Sequence, residues 1–94
     1  MIRHIVIWKL KEEAKMEDVL KLKELSNTLK DIKSVVDVEF LVNPSKGSTH
    51  QMCLISVHNT IEDLEAYAVD PVHVEFGSHL KPLVCERVCY NYEI

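Results

Sequence analysis

The sequence predicts an α+β fold: one domain in which helices cover one face of a four-stranded antiparallel sheet, in the order β-α-β-β-α-β. Three observations carry this reading. Apolar residues alternate with a period of two in four short stretches, and they recur at three and four in two longer ones. The chain has 94 residues, enough for one small core and no more. No repeat, linker or low-complexity segment divides it.

The elements follow in order. Over residues 2–10, Ile2, His4, Val6, Trp8 and Leu10 fall on one face, with Arg3, Ile5, Ile7 and Lys9 on the other. This is a strand with apolar residues on both faces. From Met16 the period lengthens. Val19, Leu22, Leu25, Ser26, Leu29 and Ile32 line one side, while Lys21, Lys23, Glu24, Lys30 and Asp31 lie outside, as in an amphipathic helix of about four turns. Glu17 and Asp18 near its start and Lys30 and Lys33 near its end suit the helix dipole.

Val35 to Val42 alternates again as a second strand, and Asn43-Pro44-Ser45-Lys46-Gly47-Ser48 reads as a loop. A third strand runs from Gln51 to His58, with Met52, Leu54 and Ser56 on one face and Cys53, Ile55 and Val57 on the other. Thr60 fits a helix N-cap, with Asp63 in an acidic first turn, and Ile61, Leu64, Tyr67 and Ala68 share one side of the helix that follows. Asp70-Pro71 restarts it, Asp70 as a second N-cap and Pro71 as first helical residue, where a missing N–H costs nothing. His73, Phe76, Gly77 and Leu80 then recur at helical spacing, Pro82 closes the helix, and Val84 to Tyr92 alternates as the last strand.

This order is the ferredoxin-like split βαβ arrangement. With both helices on one face, Ile5, Ile7, Cys53, Ile55 and Val57 are left as an uncovered apolar patch on the other. A chain that is 47% hydrophobic has nothing further to lay over it. The economical cover is a second copy, so the expected partner is self: a homodimer through the open sheet face.

Composition narrows the remaining partners. The net charge of −4 speaks against nucleic acid, which selects a basic footprint. No stretch approaches the roughly 18 consecutive apolar residues of a membrane span, and the N-terminus alternates where a signal peptide would run apolar. A cytoplasmic location is expected. Cys53, Cys85 and Cys89 are an odd count, and on one strand Cys85 and Cys89 lie roughly 13 Å apart, too far for a disulfide. Free, buried, reduced thiols are expected.

The chemistry concentrates where sheet and helices meet. If the faces bearing His4, Val6 and Trp8, and Met52, Leu54 and Ser56, point toward the helices, they meet Tyr67, His73 and Phe76. Together these residues make a mostly apolar pocket with a few polar groups, as expected of a small-molecule site. His4 and His73 titrate near neutrality, and Tyr67 supplies a phenolic donor. No metal site is expected: His50 and His58 stand roughly 26 Å apart along a strand, and Cys85-x-x-x-Cys89 lacks the spacing of common zinc knuckles. No Gly-rich phosphate loop, nucleophile elbow or paired-carboxylate motif is present, and no cofactor is expected.

Tyr67-x-x-x-Pro71-x-His73 after a short helix, together with the opening strand Met1-Ile2-Arg3-His4-Ile5-Val6-Ile7-Trp8-Lys9-Leu10, resembles the stress-responsive A/B barrel (Dabb) family. The resemblance spans both ends of the chain and makes residues 1–94 a single such domain, a dimeric α+β barrel. In the family, a polyketide cyclase uses a Tyr and a His at the positions matching Tyr67 and His73. The resemblance thus implies that His73 is a general base and that Tyr67 stabilises the developing oxyanion, with His4 matching a pocket histidine. Two positions depart: the cyclase has His-Pro where this chain has Asp70-Pro71, and a third-strand histidine where it has Met52.

The reading that follows is a small, stress-associated dimeric domain binding an apolar carbonyl or aromatic compound. The alternative is a cofactor-free cyclase or isomerase using His73 and Tyr67. A monooxygenase-like activity or a purely structural domain forms the third class.

Overall fold

The computed structural model describes residues Met1–Ile94. Four strands, β1 (Ile2–Leu10), β2 (Asp37–Leu41), β3 (Met52–His58) and β4 (Val84–Glu93), form one antiparallel sheet in the order β2-β3-β1-β4. Helix α1 (Met16–Leu25) joins β1 to β2, and α2 (Ile61–Val69) and α3 (Pro71–Leu80) join β3 to β4. This is the ferredoxin-like architecture.

Alternation in β1 does what its period demands. Val6 and Trp8 are buried beneath the helices, while Ile5 and Ile7 face the opposite way and remain partly exposed. Register continues each face across the sheet. Val6 lies opposite Leu54 and Cys89, Trp8 opposite Met52 and Arg87, and His4 opposite Ser56 and Asn91. Val19 and Leu22 of α1, Leu64 of α2 and Phe76 and Leu80 of α3 close the core over this face. Phe40 stands at its centre, edge-on to Trp8 at 6.4 Å and to Phe76 at 5.2 Å between ring centroids, the arrangement that aromatic quadrupoles favour.

The expected four-turn first helix is shorter. It is α-helical to Leu25 and continues as a 3₁₀ segment, Ser26–Asp31. The Ser26 hydroxyl donates to Lys23 O at 2.5 Å and the Thr28 hydroxyl to Leu25 O at 2.8 Å, in competition with the backbone ladder. Ser26, Leu29 and Ile32, all buried, are spaced by three, which is the 3₁₀ period. Lys23 then reaches across to donate to the Phe40 carbonyl, tying α1 to β2.

At α2, the Thr60 hydroxyl accepts from Asp63 N at 3.1 Å, and at α3 the Asp70 carboxylate accepts from Val72 N at 2.9 Å with Pro71 at the first helical position. The second cap, Asp70, is the single residue between the end of α2 and the start of α3. A 3₁₀ turn at Lys81–Leu83, containing Pro82, ends α3.

The helical layer is one strand narrower than the sheet. Almost every residue of β4 is exposed; only Val84 and Tyr92 are partly buried. Two expectations change as a result. The three cysteines are free, but they are not buried: Cys85 and Cys89 on β4 are exposed and Cys53 is partly so. The far sheet face carries Ile5, Ile7, Cys53 and Ile55 as expected, and is widened by Leu41, Val88 and Tyr90, the last 67% exposed. Val57, at the end of this face, is buried. No helix is long and apolar enough to cross a membrane.

Candidate functional site

Because α2 and α3 lie over β1 and β3 and leave β4 bare, a trough opens between the helices and the edge strand. It forms a cavity of about 520 Å³, within the roughly 300–1,000 Å³ usual for small-molecule sites. Its floor is β1, through His4, Val6 and Trp8; its helical wall includes Tyr67, His73 and Phe76; its outer wall is β4, through Arg87, Cys89 and Asn91.

Tyr67 is the centre. Its ring lies 4.4 Å from that of His73, 4.8 Å from His58 and 6.5 Å from His4 between centroids. The residue is 1% exposed, and its hydroxyl is the one buried side-chain polar atom without a hydrogen-bond partner. Burial pushes the phenol up to about 12, and the Ser56 hydroxyl offsets this in part without forming a bond of normal geometry.

His73 comes from the first turn of α3, where Asp70 and Pro71 fix the helix start. Its Nδ1–H donates to the Ala68 carbonyl at 3.1 Å, which leaves Nε2 as the lone-pair nitrogen. Burial lowers its pKa from the ordinary histidine value; the Ala68 bond and the Asp70 carboxylate work against that, while His4 and Arg87 add to it. His4 is held the same way. Its Nδ1–H donates to Asn91 Oδ1 at 2.5 Å, and burial, opposed by that bond and assisted by His58 and Arg87, lowers its pKa. Two imidazoles, neutral at pH 7 and with unpartnered Nε2 atoms, therefore flank one phenol at the wall of one apolar cavity. In that state each accepts a proton or a hydrogen bond, and the phenol donates one.

Of the residues singled out from the sequence, His4, Val6, Trp8, Leu54, Tyr67, His73 and Phe76 line this cavity together. Met52 and Ser56 do not. Met52 is buried in the core, and Ser56, fully buried, lies beneath Tyr67 and donates to His58 Nε2 at 2.9 Å. His58 is fully buried behind Tyr67, with its Nδ1–H donating to Ser34 O at 2.8 Å, so both ring nitrogens serve the fold. Arg87, Cys89 and Asn91 are cavity residues that the sequence reading missed. The available signal was the neighbouring of first and last strands in a split βαβ sheet. Their facing positions depended on the register of β4 against β1, which pairs Arg87 with Trp8, Cys89 with Val6 and Asn91 with His4.

No group of three or more His, Cys, Asp or Glu side chains gathers closely enough to hold a metal. A second hollow of about 370 Å³ lies at the other sheet face, between Ile7, Leu41 and Cys53 and the loop that carries Pro44 and His50.

A ferredoxin-like sheet with a ligand-sized trough at its edge strand defines the class: a small α+β domain with its polar groups converging between sheet and helices. More narrowly, the chain belongs to the stress responsive A/B barrel domain family, whose model matches residues 2–94. Among solved structures it is similar to a dimeric protein of ferredoxin-like fold and unknown function from Bacteroides fragilis, at 28% identity over 99% of this chain and 95% of that one, with a TM-score of 0.86. It is also similar to a dimeric ferredoxin-like protein of unknown function from Thermobifida fusca, at 17% identity over 99% and 90% of the two chains, TM-score 0.89. A hydroxynitrile lyase from Passiflora edulis shares the fold, at 17% identity over 99% and 92%, TM-score 0.82. No curated protein matches the chain.

Proposed function

We propose that this chain is a homodimeric binding domain that takes a small apolar carbonyl or aromatic compound into the cavity beside β4. One observation carries the reading: a buried phenol without a partner, flanked by two neutral imidazoles, at the wall of an otherwise apolar space. Unpaired buried polar groups are costly, and although the Tyr67 hydroxyl is closed to solvent, a ligand carbonyl that displaces the packing over it supplies the missing bond. The dimer forms through the opposite sheet face, where Ile5, Ile7, Ile55, Val88 and Tyr90 make a contiguous apolar surface. The dimeric state of the Bacteroides fragilis and Thermobifida fusca proteins supports this.

A second reading, a cofactor-free enzyme, is favoured by the tautomer of His73. With Nδ1–H anchored on Ala68 O, its Nε2 is set to take a proton from carbon next to a carbonyl, and Tyr67 to stabilise the enolate oxygen. One experiment separates the two. 4-Acetylbenzamide, a neutral aromatic ketone, is titrated into the protein, and exchange of its acetyl protons is followed in D₂O. Saturable binding with exchange no faster than in buffer identifies a binding domain. Exchange accelerated by the protein and slowed roughly 10²–10⁴-fold by His73→Ala identifies an enzyme. Absence of binding defeats both.

A further inference from the structure

The cavity is apolar in its depth and cationic on its outer wall, an arrangement that the ketone reading leaves unused. Arg87 stands on β4 opposite Trp8, on the side of the edge strand that faces the helices. Its guanidinium makes no hydrogen bond and no ion pair; the ion pairs of the molecule are His50–Glu86 and His79–Glu75. Lys81, in the turn after α3, is a second cation of the cavity lining, and Glu65 on α2 is its one carboxylate, unpaired with either. A chain with 15 acidic and 11 basic residues thus leaves two cations to one acid around its ligand-sized cavity. The charge of Arg87 also reaches inward, since it disfavours protonation of both His4 and His73.

We propose that Arg87 anchors a carboxylate, and that the ligand of this cavity is an apolar acid carrying its carbonyl group at the other end, an aromatic or aliphatic keto acid. The inference rests on the carbonyl-binding reading above and adds the second recognition group. A guanidinium presents a planar fork that matches a carboxylate through two parallel hydrogen bonds. A phosphate would bring more charge and more acceptors than a largely hydrophobic lining with one guanidinium serves. Arg87 on the β4 wall and Tyr67 and His73 on the helical wall line the same cavity. With the two recognition groups on different walls of a largely apolar space, the polar ends of the ligand are separated by an apolar body such as a phenyl ring.

The test compares 4-acetylbenzoate with 4-acetylbenzamide, which differ only in the charge of the group opposite the ketone. Calorimetric titration of the whole protein at low salt is expected to give the acid about tenfold to a hundredfold tighter binding, as for hydrogen bonds to charged groups, with the gap narrowing as salt is added. Arg87→Gln is expected to bring the acid down to the affinity of the amide, with a far smaller change for the amide itself. Lys33→Gln, remote from the cavity, is expected to change neither. Equal affinities for acid and amide in the wild type, or a preference that survives Arg87→Gln, overturn the proposal while leaving the carbonyl-binding reading intact. If neither probe binds, the carbonyl-binding reading fails, and this one with it.

Discussion

Removing one oxygen atom from the centre of the molecule should make the protein more stable and a poorer binder. Tyr67 is 1% exposed and its hydroxyl has no hydrogen-bond partner. A buried polar group left unpaired costs about 1–3 kcal/mol. Tyr67→Phe deletes that group and keeps the ring contacts with His73 at 4.4 Å and His58 at 4.8 Å. The expected gain is about 1–2 kcal/mol, and each kcal/mol raises the melting midpoint by about 4–8 °C in a domain of this size. Midpoints should be compared at one protomer concentration, because self-association contributes to apparent stability.

Alkaline pH supplies an internal check. The phenol is pushed from 10.0 up to about 12 on folding. The folded chain therefore holds a proton that the unfolded chain has already released. Stability is undiminished below pH 10 and is lost as pH rises toward 12, by up to about 3 kcal/mol. Tyr67→Phe should lack that part of the alkaline loss. At the same time its affinity for a neutral aromatic ketone should fall, the trade expected where a strained polar group exists for a ligand. A midpoint several degrees below the wild type would refute the reasoning, because it would mean that the hydroxyl has a partner on which the fold depends.

Further expectations concern the imidazoles, the cap and the sheet. His4 and His73 both have lowered pKa values, so the unfolded chain binds protons first as pH falls. Their contribution to stability is present above about pH 6.5 and is lost as pH falls through their folded pKa values; denaturant midpoints between pH 7.5 and 5 should fall less steeply in a His4→Gln, His73→Gln double variant. Asp70→Ala removes the cap on Val72 N and should cost about 1 kcal/mol, whereas Asp70→Asn keeps the cap yet removes a charge that favours protonated His73. Its His73 ring should titrate at lower pH by NMR with stability little changed, and an unaltered titration would count against the contact. Ile55→Lys puts a charge between Ile5 and Glu39 on the open sheet face and should give monomer or aggregate by sedimentation. A dimer like the wild type would mean that another face carries the interface.

What could be read from the chain depended on how local each feature was. The caps at Thr60 and Asp70 and the strand periods are set within a few residues, and they stand where the residue chemistry puts them. Ser26 misleads: its spacing fits an α-helix as well as a 3₁₀ segment, and only the hydroxyl bond to Lys23 O distinguishes them. The site divides along the same line. His4, Val6 and Trp8 share a face by strand period, and Tyr67, His73 and Phe76 a side by helix period, so their meeting was legible. Met52 and Ser56 share the face as well, but Met52 is packed into the core and Ser56 is fully buried, while Leu54 between them on the same strand lines the trough. Depth within a layer has no local signature. Arg87, Cys89 and Asn91 became visible only through long-range pairing to Trp8, Val6 and His4 at the other end of the chain.

The central claim is that His4 and His73 face one ligand site as neutral, Nδ1-protonated rings. Imidazole ¹⁵N–¹H spectra of the labelled protein at pH 7, recorded during titration with 4-acetylbenzamide, test it most directly. The account predicts the Nδ1–H form for both rings before addition and saturable shifts at their Nε2 atoms afterwards, with His50 and His79 unmoved. Charged rings at pH 7, or shifts absent at His4 and His73 when the ketone is in large excess, would contradict it.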